Sequence, residues 1–201
     1  MRGELFDQTE ARDRSMLVLT CVDGVLHDPA ADSGDSARQA VAALSRRGVP
    51  VVLTSYHSRI ELIDLQHQLG LDGPFIGENG AVVGVPHGYF DRLPHLAAPV
   101  GDWDVLTLTP PSIEEAIEVL MWLYRVSGDS PLLVGVGASW RDHLLLRHVD
   151  VPVLVRNPLL DQRQLLQHFP DAYVTSSIGL GGWLEAILGV SPERDGSEIN
   201  R

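Results

Sequence analysis

Short apolar runs alternate with amphipathic stretches along almost the whole chain. Residues 16–22 (MLVLTCV) form a continuous apolar run, partly β-branched, which predicts a buried strand. Residues 35–48 place Ala37, Ala40, Val41 and Leu44 on one helical face and stop at Gly48. A second strand follows at 50–55 (PVVLTS). A second helix covers 58–70, with Ser58 as N-cap and Gly70 as C-terminal stop. Residues 73–86 read as two short strands around the turn formers Glu78, Asn79 and Gly80. The segment 87–104 is rich in Pro, Gly and aromatics and reads as an irregular connection.

Strand character returns at 104–110. The strongest helix covers 112–128, with Ile113, Ile117, Leu120, Leu123 and Tyr124 on one stripe and Trp122 off it. A strand at 131–139, a short helix near 140–148, a strand at 151–157, a helix near 160–168, a strand at 172–177 and a helix at 181–190 complete the pattern. Strand and helix alternate throughout, and the early strands are apolar on both faces. Such a pattern predicts an α/β fold of three layers, a Rossmann-like parallel sheet with helices on both sides. One core domain then covers 16–190, between a polar extension (1–15) and a polar tail (191–201). In such folds the working residues lie beyond the carboxyl ends of the strands. Cys21, Asp23, Thr54, Ser55, Gly137, Ala138 and Ser139 are expected to converge there.

Composition narrows the function. The 201 residues carry 27 acidic and 15 basic side chains, a formal charge of −12, which argues against nucleic acid as a partner. All the basic residues are Arg. With no Lys in the chain, no ammonium side chain is available to an active site. One cysteine excludes an internal disulfide and suits a reducing cytoplasm. No apolar run approaches the length of a membrane span, and the first residues lack the apolar core of a signal peptide, so a cytoplasmic protein without a membrane partner is expected.

Four stretches carry a family likeness, and a fifth adds to it. CVDGVL (21–26) has the outline of Asp-x-Asp-Gly-Thr-Leu without its first carboxylate. TSYHSRIEL (54–62) is similar to Thr-Ser-Ser-Lys-Thr-Arg-x-Glu. PFIGENGAVV (74–83) matches Phe-Ile-x-Glu-Asn-Gly-Ala. VGVGASWRDHLLLRHVDVPVLVRNP (134–158) follows Gly-Leu-Gly-Asp-Ser-x-Asn-Asp and the Val-Asp-x-Pro-Val-Leu-Val after it, and GLGGWLEAIL (179–188) has a similar Gly-Trp end. Together they make the chain resemble the haloacid dehalogenase-like (HAD) phosphatases, in the mannosyl-3-phosphoglycerate phosphatase branch. The resemblance implies a HAD-like core with the cap domain nearly absent, since only 85–104 stands where that cap is expected.

It also implies a chemistry: phosphoryl transfer to an aspartate, then hydrolysis, supported by a second Asp, a hydroxyl, a Lys and Mg²⁺. Mapped on the matching positions, Asp23 keeps the acid/base place, Thr54 or Ser55 the hydroxyl, and Asp142 the last carboxylate, a weak metal-binding remnant. The nucleophile place holds Cys21, the main metal-binding Asp is Ala138, and its Asn is Arg141. Val25 replaces the Thr of the first motif, His57 stands where the branch has Lys, and the catalytic lysine falls near Ile113.

Several readings stay open at this level. Cys21 is a buried apolar residue, a substitute nucleophile activated by His57, or part of a Cys/His metal site with His57 and His143. Asp23 is a functional carboxylate or a turn residue before Gly24. Arg141 binds an anion or is a solvated surface cation. The expectation is a catalytically degenerate HAD-like phosphatase relative, a pseudoenzyme with a binding, assembly or regulatory role. The alternative is an active or altered phosphohydrolase on a small phosphorylated sugar or glycerate. Thr54, Ser55, Gly137 and Ser139 form the expected phosphate or anion pocket for a phosphorylated small molecule. No cofactor is expected, apart from Mg²⁺ if phosphatase activity remains. Loss of the cap would expose apolar surface near Tyr89, Phe90 and Leu93, so a homodimer or a partner protein is expected to cover it.

Overall fold

The computed structural model describes residues 15–26, 34–159 and 161–190. The polar extension (1–14 of it) and the tail therefore lie outside the described residues.

Among the described residues, nine strands form one mixed sheet in the order β5-β6-β4-β3-β2-β1-β7-β8-β9. These are β1 (Met16–Cys21), β2 (Val51–Thr54), β3 (Phe75–Gly77), β4 (Val82–Pro86), β5 (Ala98–Val100), β6 (Trp103–Thr107), β7 (Leu132–Gly137), β8 (Val151–Arg156) and β9 (Tyr173–Ile178). The helices are α1 (Gly34–Arg46), α2 (Arg59–Leu69), α3 (Ile113–Val126), α4 (His143–Arg147), α5 (Arg163–His168) and α6 (Gly179–Val190).

The sheet is parallel from β3 through β2, β1, β7 and β8 to β9. It departs from the fully parallel expectation at one edge, where β4, β6 and β5 run antiparallel to their neighbours. Connection length explains this. A parallel crossover needs a dozen or more residues. β3 reaches β4 through the 3₁₀ turn Glu78–Gly80, and β5 reaches β6 through two residues. β5 lies inside the segment expected to be irregular. Its three residues are exposed and include Pro99, so neither apolar alternation nor a run marks them.

The central strands are buried on both faces because helices cover both. Leu17 and Leu19 of β1 face Ile113, Ala116, Ile117, Leu120 and Leu123 of α3. Met16 and Val18 face the layer built from Ala37, Ala40, Val41 and Leu44 of α1, Leu62 and Leu69 of α2 and Trp183 of α6. Trp183 is fully buried, and its Nε1–H donates to Thr20 Oγ1 at 3.1 Å, tying α6 to β1. Helix α2 starts as expected: Ser58 and Glu61 form a capping box, and Gly70 closes the helix in the left-handed conformation.

The apolar surface expected at Tyr89, Phe90 and Leu93 is not exposed. Phe90 is buried, and its ring packs edge-on against both Tyr89 and Tyr124. Tyr89 Oη lies 3.1 Å from Tyr124 Oη. Leu93 packs against the same core. The short segment between β4 and β5 folds down onto α3 and covers Tyr89, Phe90 and Leu93, while Leu96 stays exposed.

Candidate functional site

The register of the parallel strands builds the site. Cys21 pairs across the sheet with Thr54, so the last residues of β1 and β2 stand side by side. Thr20 pairs with Val136, which brings the end of β7 to the other flank of β1. Beyond these ends opens a cleft of about 920 Å³. Cys21, Asp23, Thr54, Ser55, Ser139 and Asp142 all line it, together with Tyr56, Asn79, Ile113, Trp140, Arg141 and His143. The position is the crevice where the sheet's connections diverge from β1, as expected for an open α/β sheet.

At the floor, Cys21 is 5% exposed and its Sγ lies 3.7 Å from the Asp23 carbonyl oxygen. Burial pushes its thiol pKa well up, and the nearby Asp142 carboxylate raises it further. The thiol is therefore held protonated. A substitute nucleophile needs a thiolate, which this buried, acid-flanked position disfavours. His57, proposed as its activator, instead places Nδ1 2.6 Å from Ser55 Oγ and 3.6 Å from Asp23 Oδ2. No group of three or more His, Cys, Asp or Glu suited to a metal ion occurs among the described residues.

The loop after β7 is organised around Asp142. Its Oδ2 accepts hydrogen bonds from Ala138 N (2.9 Å), Ser139 N (2.8 Å) and Ser139 Oγ (3.1 Å). Gly137 is required by the same arrangement, because a Cβ there would lie 2.7 Å from Asp142 Cβ. Asp142 keeps some solvent contact as a residue, yet its carboxyl is enclosed enough that desolvation raises its pKa. The chain's own carboxylate thus fills the donors that a bound anion would use. Of the four residues expected to cradle a phosphate, Gly137 faces Asp142 and Ser139 is committed to it. Ser55 is engaged with His57. Thr54 differs: its side chain is 4% exposed, and Oγ1 is buried with no hydrogen-bond partner among the described residues.

The side wall comes from a turn. Glu78 and Asn79 both have positive φ (53° and 56°), and their N–H groups donate to His57 O and Ser55 O. Gly80 follows at φ 86°, where a Cβ would come within 2.4 Å of the Ser112–Ile113 backbone. That contact seats the start of α3 against the turn and puts Ile113 on the cleft wall, where the resemblance places a lysine.

Two lining residues, and a third that braces the loop after β7 from outside the cleft, were not singled out as site residues from the sequence. Tyr56 is half exposed (51%) and stacks on His57, with ring centroids 4.8 Å apart. Trp140 stacks on His143 at 4.8 Å. Gln162 Nε2 donates to both Ala138 O (2.7 Å) and Val155 O (2.8 Å), bridging the ends of β7 and β8. Tyr56 and Trp140 could have been found as bulky aromatics in motif loops where small residues are usual. Gln162 has no such signal, since only tertiary structure brings it to the loop.

Mg²⁺ asks for hard oxygen ligands in octahedral geometry, with carboxylates among them. This donor set does not fit. It offers a protonated thiol at Cys21, a buried methyl at Ala138, and an Asp142 oxygen already holding three donors.

Comparison with known proteins agrees with this architecture. Residues 18–90 match the family model for haloacid dehalogenase-like hydrolases. A glucosyl-3-phosphoglycerate/mannosyl-3-phosphoglycerate phosphatase from Persephonella marina is 34% identical over 74 residues, which is 37% of this chain and 28% of that relative. The matched stretch thus spans little more than a quarter of that relative's length. Among solved structures, one from Thermoplasma acidophilum superposes with a TM-score of 0.62 at 14% identity, over 88% of this chain and 98% of that one. The sucrose-phosphatase from Synechocystis, solved with sucrose and phosphate, superposes with a TM-score of 0.60 at 17% identity, over 88% and 98%. The fold is that of the haloacid dehalogenase-like superfamily. Residues 18–90 resemble the haloacid dehalogenase-like hydrolases, and the matched stretch is similar to part of the glucosyl-3-phosphoglycerate/mannosyl-3-phosphoglycerate phosphatases.

Proposed function

We propose that this chain binds a phosphorylated small molecule in the cleft at the end of β1 without hydrolysing it. The observation that carries the reading is the state of the cleft floor. An aspartyl-phosphate mechanism needs an ionised carboxylate as nucleophile. Cys21 stands at that place as a buried, protonated thiol. Metal support for the leaving and attacking oxygens is missing for the reason given by the donor set, and Ile113 offers no charge in place of a lysine. These groups act as a unit in phosphoryl transfer, so loss of the carboxylate nucleophile alone already disables the aspartyl-phosphate route.

A binding role is supported by Thr54, whose buried hydroxyl lacks a partner among the described residues while lining the cleft. Burying an unpaired hydroxyl costs about 1–3 kcal/mol. A ligand oxygen accepting from Thr54 would recover that cost. The sugar or glycerate class comes from the likeness to glucosyl-3-phosphoglycerate/mannosyl-3-phosphoglycerate phosphatases. Association as a homodimer or with a partner protein is a separate proposal, which loses the support of bare surface at Tyr89, Phe90 and Leu93 and keeps only the exposed Leu96 of that segment. Light scattering over a wide concentration range tests it.

Thermal unfolding tests the binding reading, since a ligand that binds only the folded state raises the midpoint. A phosphate ester should raise it in the presence of a chelator, and Mg²⁺ alone should not. A midpoint that rises with Mg²⁺ and with esters only when Mg²⁺ is present would overturn the reading.

A further inference from the structure

Each of the cleft's carboxylates has a polar neighbour, whereas its guanidinium has no carboxylate partner among the described residues. Asp23 lies beside His57 Nδ1 at 3.6 Å. Asp161 pairs with Arg163 Nε at 3.1 Å. Asp142 is satisfied by backbone and hydroxyl donors. Arg141 also lines the cleft, and the ion pairs among the described residues do not include it. Its guanidinium carbon instead lies 5.3 Å from the centre of the Tyr56 ring. A cation resting on an aromatic face is held in place at modest cost and remains free to take an anion.

We propose that Arg141 is the anion-binding group of this cleft, replacing with a fixed guanidinium the positive charge that neither a metal nor a lysine supplies here. The proposal rests on the reading of the cleft as a phosphate-ester site and adds the residue that recognises the anion. The 3₁₀ turn Trp140–Asp142 fixes where Arg141 starts, because Arg141 N–H donates to Ser139 Oγ and Asp142 locks the turn from below. Tyr56, on the loop after β2, extends the shelf from the opposite lip. Anion binding through Arg141 and Thr54 needs no divalent ion. A guanidinium can hold a phosphate with two parallel N–H···O bonds, whereas an ammonium acts as a point charge.

The test is calorimetric titration of the full chain with inorganic phosphate and with 3-phosphoglycerate, both in excess chelator. Wild type, Arg141→Ala, Arg141→Lys and Thr54→Val are compared. Arg141 is exposed, so its variants should keep the wild-type thermal midpoint and circular dichroism. The expected result is binding by wild type, at least a tenfold loss in Arg141→Ala, and a smaller loss in Arg141→Lys. Binding by wild type that is unchanged in Arg141→Ala but lost in Thr54→Val would overturn the role of Arg141 and leave the phosphate-ester reading standing. No binding of either probe by wild type would overturn both.

Discussion

The Asp142 carboxylate accepts hydrogen bonds from both the backbone N–H and the hydroxyl of Ser139, and so closes from within the loop that would otherwise face a bound anion. One side chain thereby turns a potential ligand cradle into a self-satisfied turn. Replacement by Ala would leave the Ala138 and Ser139 N–H groups without their acceptor. Asp142→Ala should lose about 1–3 kcal/mol of stability, read by urea unfolding. An unchanged midpoint would show that water replaces the carboxylate at no cost.

Two carboxylates should give opposite pH dependences. Burial raises the Asp142 pKa in the folded protein. The folded state then holds a proton that the unfolded chain releases, so this contribution falls as pH rises from the unfolded value through the raised one. Glu185 behaves in the reverse sense. The N–H groups of Ser176 and Ser177, with a smaller contribution from Tyr173 Oη, pull its pKa down to about 2. Its contribution is complete above the unfolded value of roughly 4.3 and is lost as pH falls towards about 2. Unfolding curves taken from neutral to acid pH should show Glu185→Gln removing the loss on the acid side. Asp142→Asn should remove the gain.

Cys21 should resist modification in the folded protein. A disulfide reagent at neutral pH is expected to react with it at a rate set by unfolding, and fast labelling would appear only in denaturant. Labelling of the native protein at the rate of a free thiol would contradict the buried, protonated state on which the loss of nucleophilic chemistry rests.

Gly80→Ala should be strongly destabilising. The position has φ 86°, and a Cβ would press into the Ser112–Ile113 backbone. Unlike the end of a flexible side chain, that backbone cannot move aside cheaply. A cost of about 2 kcal/mol or more is expected from strain and overpacking together. Equilibrium unfolding measures it, and a neutral substitution would mean that α3 is not seated by this turn.

Much of the fold was legible because the strands at the centre of the sheet are long apolar runs and the helices carry clear caps. Ser58 and Gly70 mark both ends of α2 from sequence alone. At the antiparallel edge the hairpin of β3 and β4 was legible from its turn residues, whereas β5 and the direction of β6 were not. β5 has three exposed residues with a proline among them, and strand direction is set by connection length rather than by residue type. For the cleft, strand-end logic placed Cys21, Asp23, Thr54, Ser55 and Ser139 together on one lining. Sequence gave no sign that Asp142 would consume the loop's donors, since that depends on how a turn folds back on itself. Tyr89, Phe90 and Leu93 show the same limit: an aromatic segment in a place expected to be bare can still be covered by its own packing on α3.

The most direct test of the central claim is phosphate release from mannosyl-3-phosphoglycerate and from an aryl phosphate, measured with Mg²⁺ and with chelator, beside a Cys21→Ser variant. The account predicts no release above background from either substrate in any condition, and no difference between wild type and variant. Sustained release that depends on Mg²⁺, or that disappears in Cys21→Ser, would contradict it.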